Sequence, residues 1–352
     1  LRPLNSSTKG REVINGQVII YGEVAKASTA AEAKEDARLA QLILDEGGHL
    51  FLETEAALDS EIIEAAINAG GLLVSRCADL FDDDAVGETV ESLTEKLGVA
   101  STRLVAMVAL VTIVSSSLPI TLSKAQMDGV FNASTELLQS PDVTVKQAAL
   151  VTLKALYAKF GGAFKNKSMK KNLVKQVREL IEPDNFSLCT RALELAAVMR
   201  PHATLLIASC AAPASIVVRD FDASASPHLL AALKAFFGVV SGELPEEEVD
   251  VMAAGLMEAG FKARAIVTIA QVVATLLCDL EDGDVAAAMR QMVSSTSSAT
   301  KLLAQLKAHP TDDDADLTCR LHLAVVGEIG RVVNVESSGS LNDLNTLTSN
   351  VW

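Results

Sequence analysis

Three acidic runs are the residues of this sequence that could bind a hard cation through paired carboxylates. The run that begins at Asp312 comes nearest to a calcium-binding loop, because it offers Asp314 and Asp316 at loop positions three and five. Leu317 stands where that loop needs glycine, and Leu323 where it needs a bidentate glutamate. Carboxylates also stabilise the first turn of a helix. The runs therefore predict solvated turns and helix starts with no metal site: Asp82–Asp84, Glu246–Glu248 and Asp312–Asp314.

Residues for catalysis or nucleotide binding lack the companions that each chemistry needs. Gly161–Ser168 resembles half a phosphate loop, but Asn166 replaces the second glycine and no strand precedes it. Ser168 and Lys171 match the serine–lysine motif of penicillin-interacting enzymes without its companion motifs. The five histidines lie far apart, with no pair at ligand spacing. We expect no catalytic residue, no cofactor and no small-molecule substrate, with a helical enzyme assembled from distant residues as an alternative.

Composition narrows the class of partner. Among 352 residues, 30 Lys and Arg face 45 Asp and Glu, which gives a net charge of −15 and disfavours binding to nucleic acid or an anionic membrane. The longest apolar run, Leu104–Val114, is shorter than the ~20 residues of a membrane span. Five scattered cysteines without a CxxC pair indicate a reducing compartment, so we expect a cytoplasmic and nuclear protein whose cysteines are buried in the core.

One cluster departs from the acidic balance of the chain. Six cations fall within fourteen positions: Lys165, Lys167, Lys170, Lys171, Lys175 and Arg178. On a helix that begins near Ser168, three of them (Lys171, Lys175 and Arg178) lie along one face. They are candidate contacts for an acidic surface of a protein partner. The alternative is an ordinary solvated helix face.

Helical periodicity dominates the elements that would position these residues. Pro141-Asp142 opens a helix with one apolar face, Asp142 has the chemistry of an N-cap, and Gly161-Gly162 closes the helix. A helix over Lys124–Gln139 precedes it across a short turn, which makes a two-helix hairpin. The apolar face of the later helix is formed by Val145, Ala149, Leu153, Leu156 and Phe160.

The hairpin recurs along the chain. Equivalent alanines are spaced by 40, 43, 43 and 40 residues: Ala66, Ala106, Ala149, Ala192 and Ala232. HEAT and armadillo arrays have a period of ~40–47 residues. The sequence therefore predicts an all-α fold, a superhelical solenoid of HEAT-type antiparallel helix pairs. Its repeat-like units are expected at about 11–58, 59–98, 99–140, 141–182, 183–225, 226–260, 261–310 and 311–352.

The two ends of the array are less regular. The first good helix is expected at about Val13–Ala27. Later helices are expected near Lys262–Asp279, Gly283–Ser294 and Asp316–Val333, with an inserted loop around Ser294–Ser298 or His309–Asp314. A chain that begins with Leu, has no signal peptide and ends in an uncovered apolar stripe suggests a fragment cut from a longer array. The stripe consists of Leu341, Leu344, Leu347 and Val351.

The order of the units resembles the cullin-associated and neddylation-dissociated proteins. The likeness covers about residues 59 to 345 and corresponds to a later-middle segment of their HEAT-repeat solenoid. It is carried, in the order of that family, by Glu61–Gly71, Thr102–Ile113, Pro141–Tyr157, Ala192–Pro201, Val218-Arg219, Leu229–Gly242 and Asp316–Gly330. Six or seven units in the right order are much more specific than any single HEAT repeat.

The resemblance implies a non-catalytic scaffold that binds a cullin–RING ligase scaffold in its unneddylated form. Such proteins compete with ubiquitin-like modification of the cullin and with the adaptor that carries the substrate receptor, so they regulate assembly by receptor exchange. The protruding hairpin that the family uses against the adaptor has no match here. The alternative is another HEAT-repeat scaffold, such as a nuclear-transport receptor or a phosphatase scaffolding subunit.

Overall fold

The structure is a computed structural model. It describes residues 11–14, 17–20, 60–78, 83–199, 204–242, 244–278 and 286–333. By its internal contacts the chain divides into two compact units, one up to Val130 and one from Phe131 onwards. These described ranges contain thirteen α-helices and one short hairpin of two strands.

The hairpin pairs strand β1 (Arg11–Ile14) with strand β2 (Gln17–Ile20) in antiparallel register, with Ile14 opposite Gln17. The predicted helix over Val13–Ala27 is therefore wrong in its first part. The sequence explains why strands form here, because Asn15-Gly16 separates two runs rich in Val and Ile. Asn-Gly favours a two-residue hairpin turn, and β-branched residues favour strands over helices.

The first unit contains α1 (Ser60–Cys77), α2 (Asp83–Lys96), α3 (Arg103–Val114) and the start of α4 (Lys124–Leu137). Helices α1 and α3 pack closely because Gly71 faces Ala109. A methyl group at Gly71 would lie only 2.7 Å from the Cβ atom of Ala109. The hydroxyl of Ser116 also donates a hydrogen bond to the Ser75 carbonyl oxygen. The small residues at these two positions thus allow the two helices to approach closely.

The second unit continues with α5 (Val143–Phe160), α6 (Lys167–Glu179), α7 (Phe186–Val198), α8 (Thr204–Asp220), α9 (Pro227–Ser241), α10 (Glu246–Met257), α11 (Ile266–Cys278), α12 (Ala286–Ala308) and α13 (Asp313–Val332). Alternate helices pack side by side in a first row of α5, α7, α9, α11 and α13. The helices between them (α6, α8, α10 and α12) form a second row, in which α6 packs on α8 and α8 on α10. Packing between neighbours in sequence is that of an all-α solenoid, which confirms the predicted fold class.

Local sequence explains where the best-predicted helix begins. The Asp142 carboxylate accepts a hydrogen bond from the Thr144 amide at 2.7 Å, which makes it the N-cap of α5 as predicted. Four of the five predicted core positions on this helix are buried, and Phe160 is half-buried. The equivalent alanines at 106, 149, 192 and 232 are also buried, whereas Ala66 is half-buried.

Side-chain contacts join consecutive units at the repeat spacing. Lys154 Nζ lies 3.0 Å from Glu194 Oε2, and Gln147 Nε2 donates to the Ser187 hydroxyl at 2.9 Å. In each pair the partners are forty positions apart, one on α5 and the other on α7. Nearer the carboxyl end, the buried Thr268 hydroxyl donates to the Phe221 carbonyl at 2.7 Å.

The last helix pair agrees with one of the two predicted loop positions. Helix α12 continues without a break from Ala286 to Ala308, so of the two predicted positions for a loop, Ser294–Ser298 is wrong and His309–Asp314 is confirmed by a turn between α12 and α13. Ser and Thr are weak helix formers, but Ser295 is fully buried and Thr296 donates to the Met292 carbonyl one turn earlier. Packing on α13 therefore overrides local propensity. The predicted stripe at 341–351 lies outside the described residues.

Candidate partner-binding surface

Helix α6 positions the predicted basic contacts. Its N-cap is Asn166, whose Oδ1 atom accepts hydrogen bonds from the amides of Ser168 at 3.0 Å and Met169 at 3.3 Å. Its apolar face is formed by Leu173, Val174 and Val177, all buried. The sequence alternates buried and charged positions at helical spacing, so one side of α6 packs into the unit and the other meets solvent.

The three candidate residues, Lys171, Lys175 and Arg178, are all exposed and lie on the side of α6 opposite this apolar face. Residues four and three positions apart are neighbours on a helix surface, so the three charges form one continuous strip. Within the described residues, no acidic side chain forms an ion pair with any of them. We call this strip the basic face of α6.

The positive charge of Arg178, on the basic face, acts on a residue of the neighbouring helix α8. Burial raises the pKa of Cys210, on α8, to about 11, although a hydrogen bond from Ser209 and the positive charge of Arg178 both act to lower it. Gln176, on the packed side of α6, is almost fully buried, and its Oε1 atom has no hydrogen-bond partner in the described part of the chain. Burial also lowers the pKa of the half-buried Lys170.

A second group of charges lies on the first row. Glu194 lies 3.0 Å from both Lys154 and Arg191. Burial acts to raise the pKa of Glu194, but the hydrogen bonds from the two cations outweigh it and the pKa falls below its usual value. This carboxylate is satisfied within the protein, so it offers less negative charge to a partner than its exposure alone suggests.

The other sequence-predicted residues occupy structural positions. Glu246–Glu248 form the first turn of α10, and Asp312 caps α13 by accepting from the Ala315 amide at 3.0 Å, as predicted for helix starts. In the ranges that the structure describes, no group of three His, Cys, Asp or Glu residues is placed to hold a metal ion. Four of the cysteines are buried, and Cys278 is partly exposed.

Burial lowers the pKa of His322, whose Nδ1 atom is buried without a hydrogen-bond partner among the residues described. A search of the same residues for helices long and apolar enough to cross a membrane finds none.

Sequence reasoning missed one surface feature. Ile216 on α8 and Val251 on α10 are 62% and 72% exposed. The helical pattern could have predicted the exposure of Ile216, because this residue does not lie on the same helix face as the buried Ala214, Val217 and Val218. Both helices belong to the second row, as does α6.

Comparison with known proteins finds similarity among solved structures. No family model matches the chain, and no curated protein matches it. Among solved structures, the chain is similar to an engineered protein from the Northeast Structural Genomics Consortium, with 14% identity and a TM-score of 0.45 over 69% of this chain and 97% of the other. A second engineered protein from the same consortium has 14% identity and a TM-score of 0.32, over 86% of this chain and 96% of the other.

Proposed function

We propose that this chain is a non-catalytic scaffold that binds an unneddylated cullin–RING ligase scaffold and regulates its assembly through substrate-receptor exchange. The observation that best supports a scaffold is the first row, in which five alternate helices pack side by side. A stack of this kind presents a long surface built from many helices, suited to a large protein partner. The ordered resemblance to cullin-associated proteins supplies the identity of the partner.

The basic face of α6 is the proposed contact for an acidic area of that partner. Lys171, Lys175 and Arg178 are exposed and need no rearrangement to meet carboxylates. Exposed charges at the rim of an interface contribute mainly to the rate of encounter and to orientation, and each adds little affinity. Binding of the whole partner would therefore depend on many contacts along the array, with the basic face steering the approach.

Receptor exchange follows from linkage without covalent chemistry. Two ligands that disfavour each other on a shared scaffold do so reciprocally, so this chain and a substrate receptor would each loosen the grip of the other. A modification that blocks the site of this chain on the cullin would end the competition. The protein is expected in the cytoplasm and the nucleus, where cullin–RING assembly takes place.

The test compares retention of the chain on immobilised cullin–RING complexes with and without the ubiquitin-like modification. We expect retention on the bare complex and strongly reduced retention on the modified one. The variant Lys171→Ala/Lys175→Ala/Arg178→Ala should bind the bare complex more slowly. A matched control, Lys301→Ala/Lys307→Ala, removes exposed cations from α12 and should not.

Equal retention on both complexes would remove the proposed competition. Retention on a small GTPase with none on cullin would favour a transport receptor instead. Turnover of a substrate that is lost on substituting one Asp, His or Cys would show that the chain is an enzyme.

A further inference from the structure

The second row carries an apolar residue at the centre of its outward surface. Ile216 is 62% exposed on α8, and Ala212, one turn earlier, is exposed beside it. Both lie opposite the buried Ala214 and Val218. A single exposed aliphatic side chain is ordinary on a protein surface, so its meaning depends on what surrounds it.

On one side of α8, helix α10 presents an acidic face. Val251, 72% exposed, is preceded by Glu247 and Glu248 and followed by Glu258, all exposed. Glu246 is different, because it forms an ion pair with Arg290 of α12. The described residues offer no ion-pair partner for the other three carboxylates. The acidic face of α10 is therefore defined by Glu247 and Glu248 in its first turn and by Glu258, the residue directly after its end.

On the other side of α8, helix α6 presents its basic face. Because α6 packs on α8 and α8 packs on α10, the three outward faces adjoin in the order basic, apolar, acidic. The charge is separated along the sequence as well. Residues 143–241 contain thirteen Lys and Arg against six Asp and Glu, whereas the whole chain has 30 against 45.

We propose that this surface joins two copies of the chain about a two-fold axis that lies between the copies, parallel to α8. Rotation about such an axis places α6 of one copy opposite α10 of the other, and Ile216 near Ile216. Both basic–acidic contacts are then identical, which is the self-complementarity that a two-fold interface requires. Within one copy, α8 lies between the two charged faces. A partner with charge of one sign would be repelled by one of the flanks, so a second copy fits the pattern better.

The test uses the purified full chain alone, followed by sedimentation velocity from about 1 to about 200 µM, the range in which weak interfaces associate. We expect the chain to pass from monomer to dimer as concentration rises. The acidic-α6 variant (Lys171→Glu/Lys175→Glu) and the basic-α10 variant (Glu247→Lys/Glu248→Lys) should each raise the dimer dissociation constant at least about tenfold, because like charges then face each other.

Mixing the two variants provides the decisive arm. In the mixed dimer, one contact joins the acidic α6 of the first variant to the basic α10 of the second, and the other contact joins the two unsubstituted faces. Both contacts then pair opposite charges, so the mixture should dimerise although each variant alone dimerises weakly. Misfolding could not produce this rescue. The control Lys301→Glu/Lys307→Glu, on α12, should dimerise like the unsubstituted chain, and Ile216→Asp should weaken every combination.

A chain that stays monomeric throughout the range would overturn the proposal, as would a mixture that shows no rescue. Dimers that persist in both single variants would place the interface elsewhere. None of these outcomes involves a cullin, so the result is independent of the proposed function. If both proposals hold, the partner and the second copy compete for the basic face of α6.

Discussion

Helices α6 and α11 have the same length, thirteen residues, and opposite environments. Helix α11 has no charged residue, and eight of its thirteen positions are buried. Helix α6 has six charged residues and only four buried positions. A helix that is apolar all round must be enclosed by others, while an amphipathic helix keeps one face for solvent or a partner.

The difference comes from the number of neighbours. Helix α11 packs against α9 and α13 in its own row and also against α8, α10 and α12 of the second row. Helix α6 packs mainly against α7 and α8. Two helices of equal length thus differ in how much of their surface packs against other helices. Burial is greatest where the rows meet, and the charged outward face of α6 contributes little to packing.

The largest effect expected from this comparison is the truncation of a core side chain in α11. Leu276 is fully buried, so Leu276→Ala should lower the free energy of unfolding by about 2–5 kcal/mol, from lost burial and the cavity left behind. Urea unfolding followed by circular dichroism measures it. Val267→Ala on the same helix is the control, because Val267 is 49% exposed and its loss should cost less than about 1 kcal/mol. Equal losses for both variants would contradict the enclosed position of α11.

A smaller effect is expected from Thr268→Val, which keeps the volume of the side chain but removes its hydroxyl. That hydroxyl donates to the Phe221 carbonyl in a buried position, so the loss should cost about 1–3 kcal/mol. Thr275→Val is the matched control on α11. The Thr275 hydroxyl bonds the Gln271 carbonyl of its own helix and is half-exposed, so water can replace it. If Thr268→Val left the free energy of unfolding unchanged, the link between α11 and Phe221, the residue after α8, would add no stability.

The sequence predicts local features of this fold and misses contacts between residues that are far apart in the chain. Periodicity and the cap chemistry of Asp142 located α5 to within a few residues, because both signals are local. The bond from Thr268 to Phe221 joins residues 47 positions apart, and no local pattern specifies it. The sequence left the loop open between Ser294–Ser298 and His309–Asp314 for the same reason, since the burial of Ser295, which keeps the first of these segments helical, is not visible in the local pattern.

The candidate surface was predictable only in part. The spacing of Lys171, Lys175 and Arg178 was enough to place them on one face once a helix was assumed. Which helices flank α6 depends on packing across units, and so the order of basic, apolar and acidic faces in the second row emerged only from the structure. The hairpin at the amino end carried a local signal, Asn15-Gly16, that competed with helical periodicity and prevailed.

A modest pH effect on stability is expected from the ion pairs of Asp220, at the end of α8, with two residues that precede α11. Hydrogen bonds from Lys262 and Arg264, each 2.6 Å from Asp220, hold the pKa of that carboxyl below its usual value. The unfolded chain therefore takes up the proton first, at a pKa of about 3.9, so the stabilisation is complete above that pH and is lost as pH falls through the lower folded pKa.

The acid limb is the fall in the free energy of unfolding as the pH decreases. Replacing Asp220 with Asn should flatten it and should cost less than about 1 kcal/mol at neutral pH, because the ion pairs are partly exposed. Unfolding measured from pH 7 down to pH 3 tests it. Glu247→Gln, which removes an exposed carboxylate from α10, should leave the limb in place. An unchanged limb in Asp220→Asn would assign the acid sensitivity to other carboxylates.

The smallest effect on stability is expected at the basic face of α6, which is the proposed contact for a partner. Replacing Lys171, Lys175 and Arg178 with Ala removes only exposed groups from α6, and Ala is the best helix former, so the free energy of unfolding should change by less than about 0.5 kcal/mol per site. Val177→Ala, on the packed side of the same helix, deletes fewer atoms but should cost more, because Val177 is 1% exposed. Thermal unfolding of the two variants decides between the faces. If the triple variant were the less stable one, the basic face would be part of the packing of α6, and its availability to a partner or to a second copy would be lost with it.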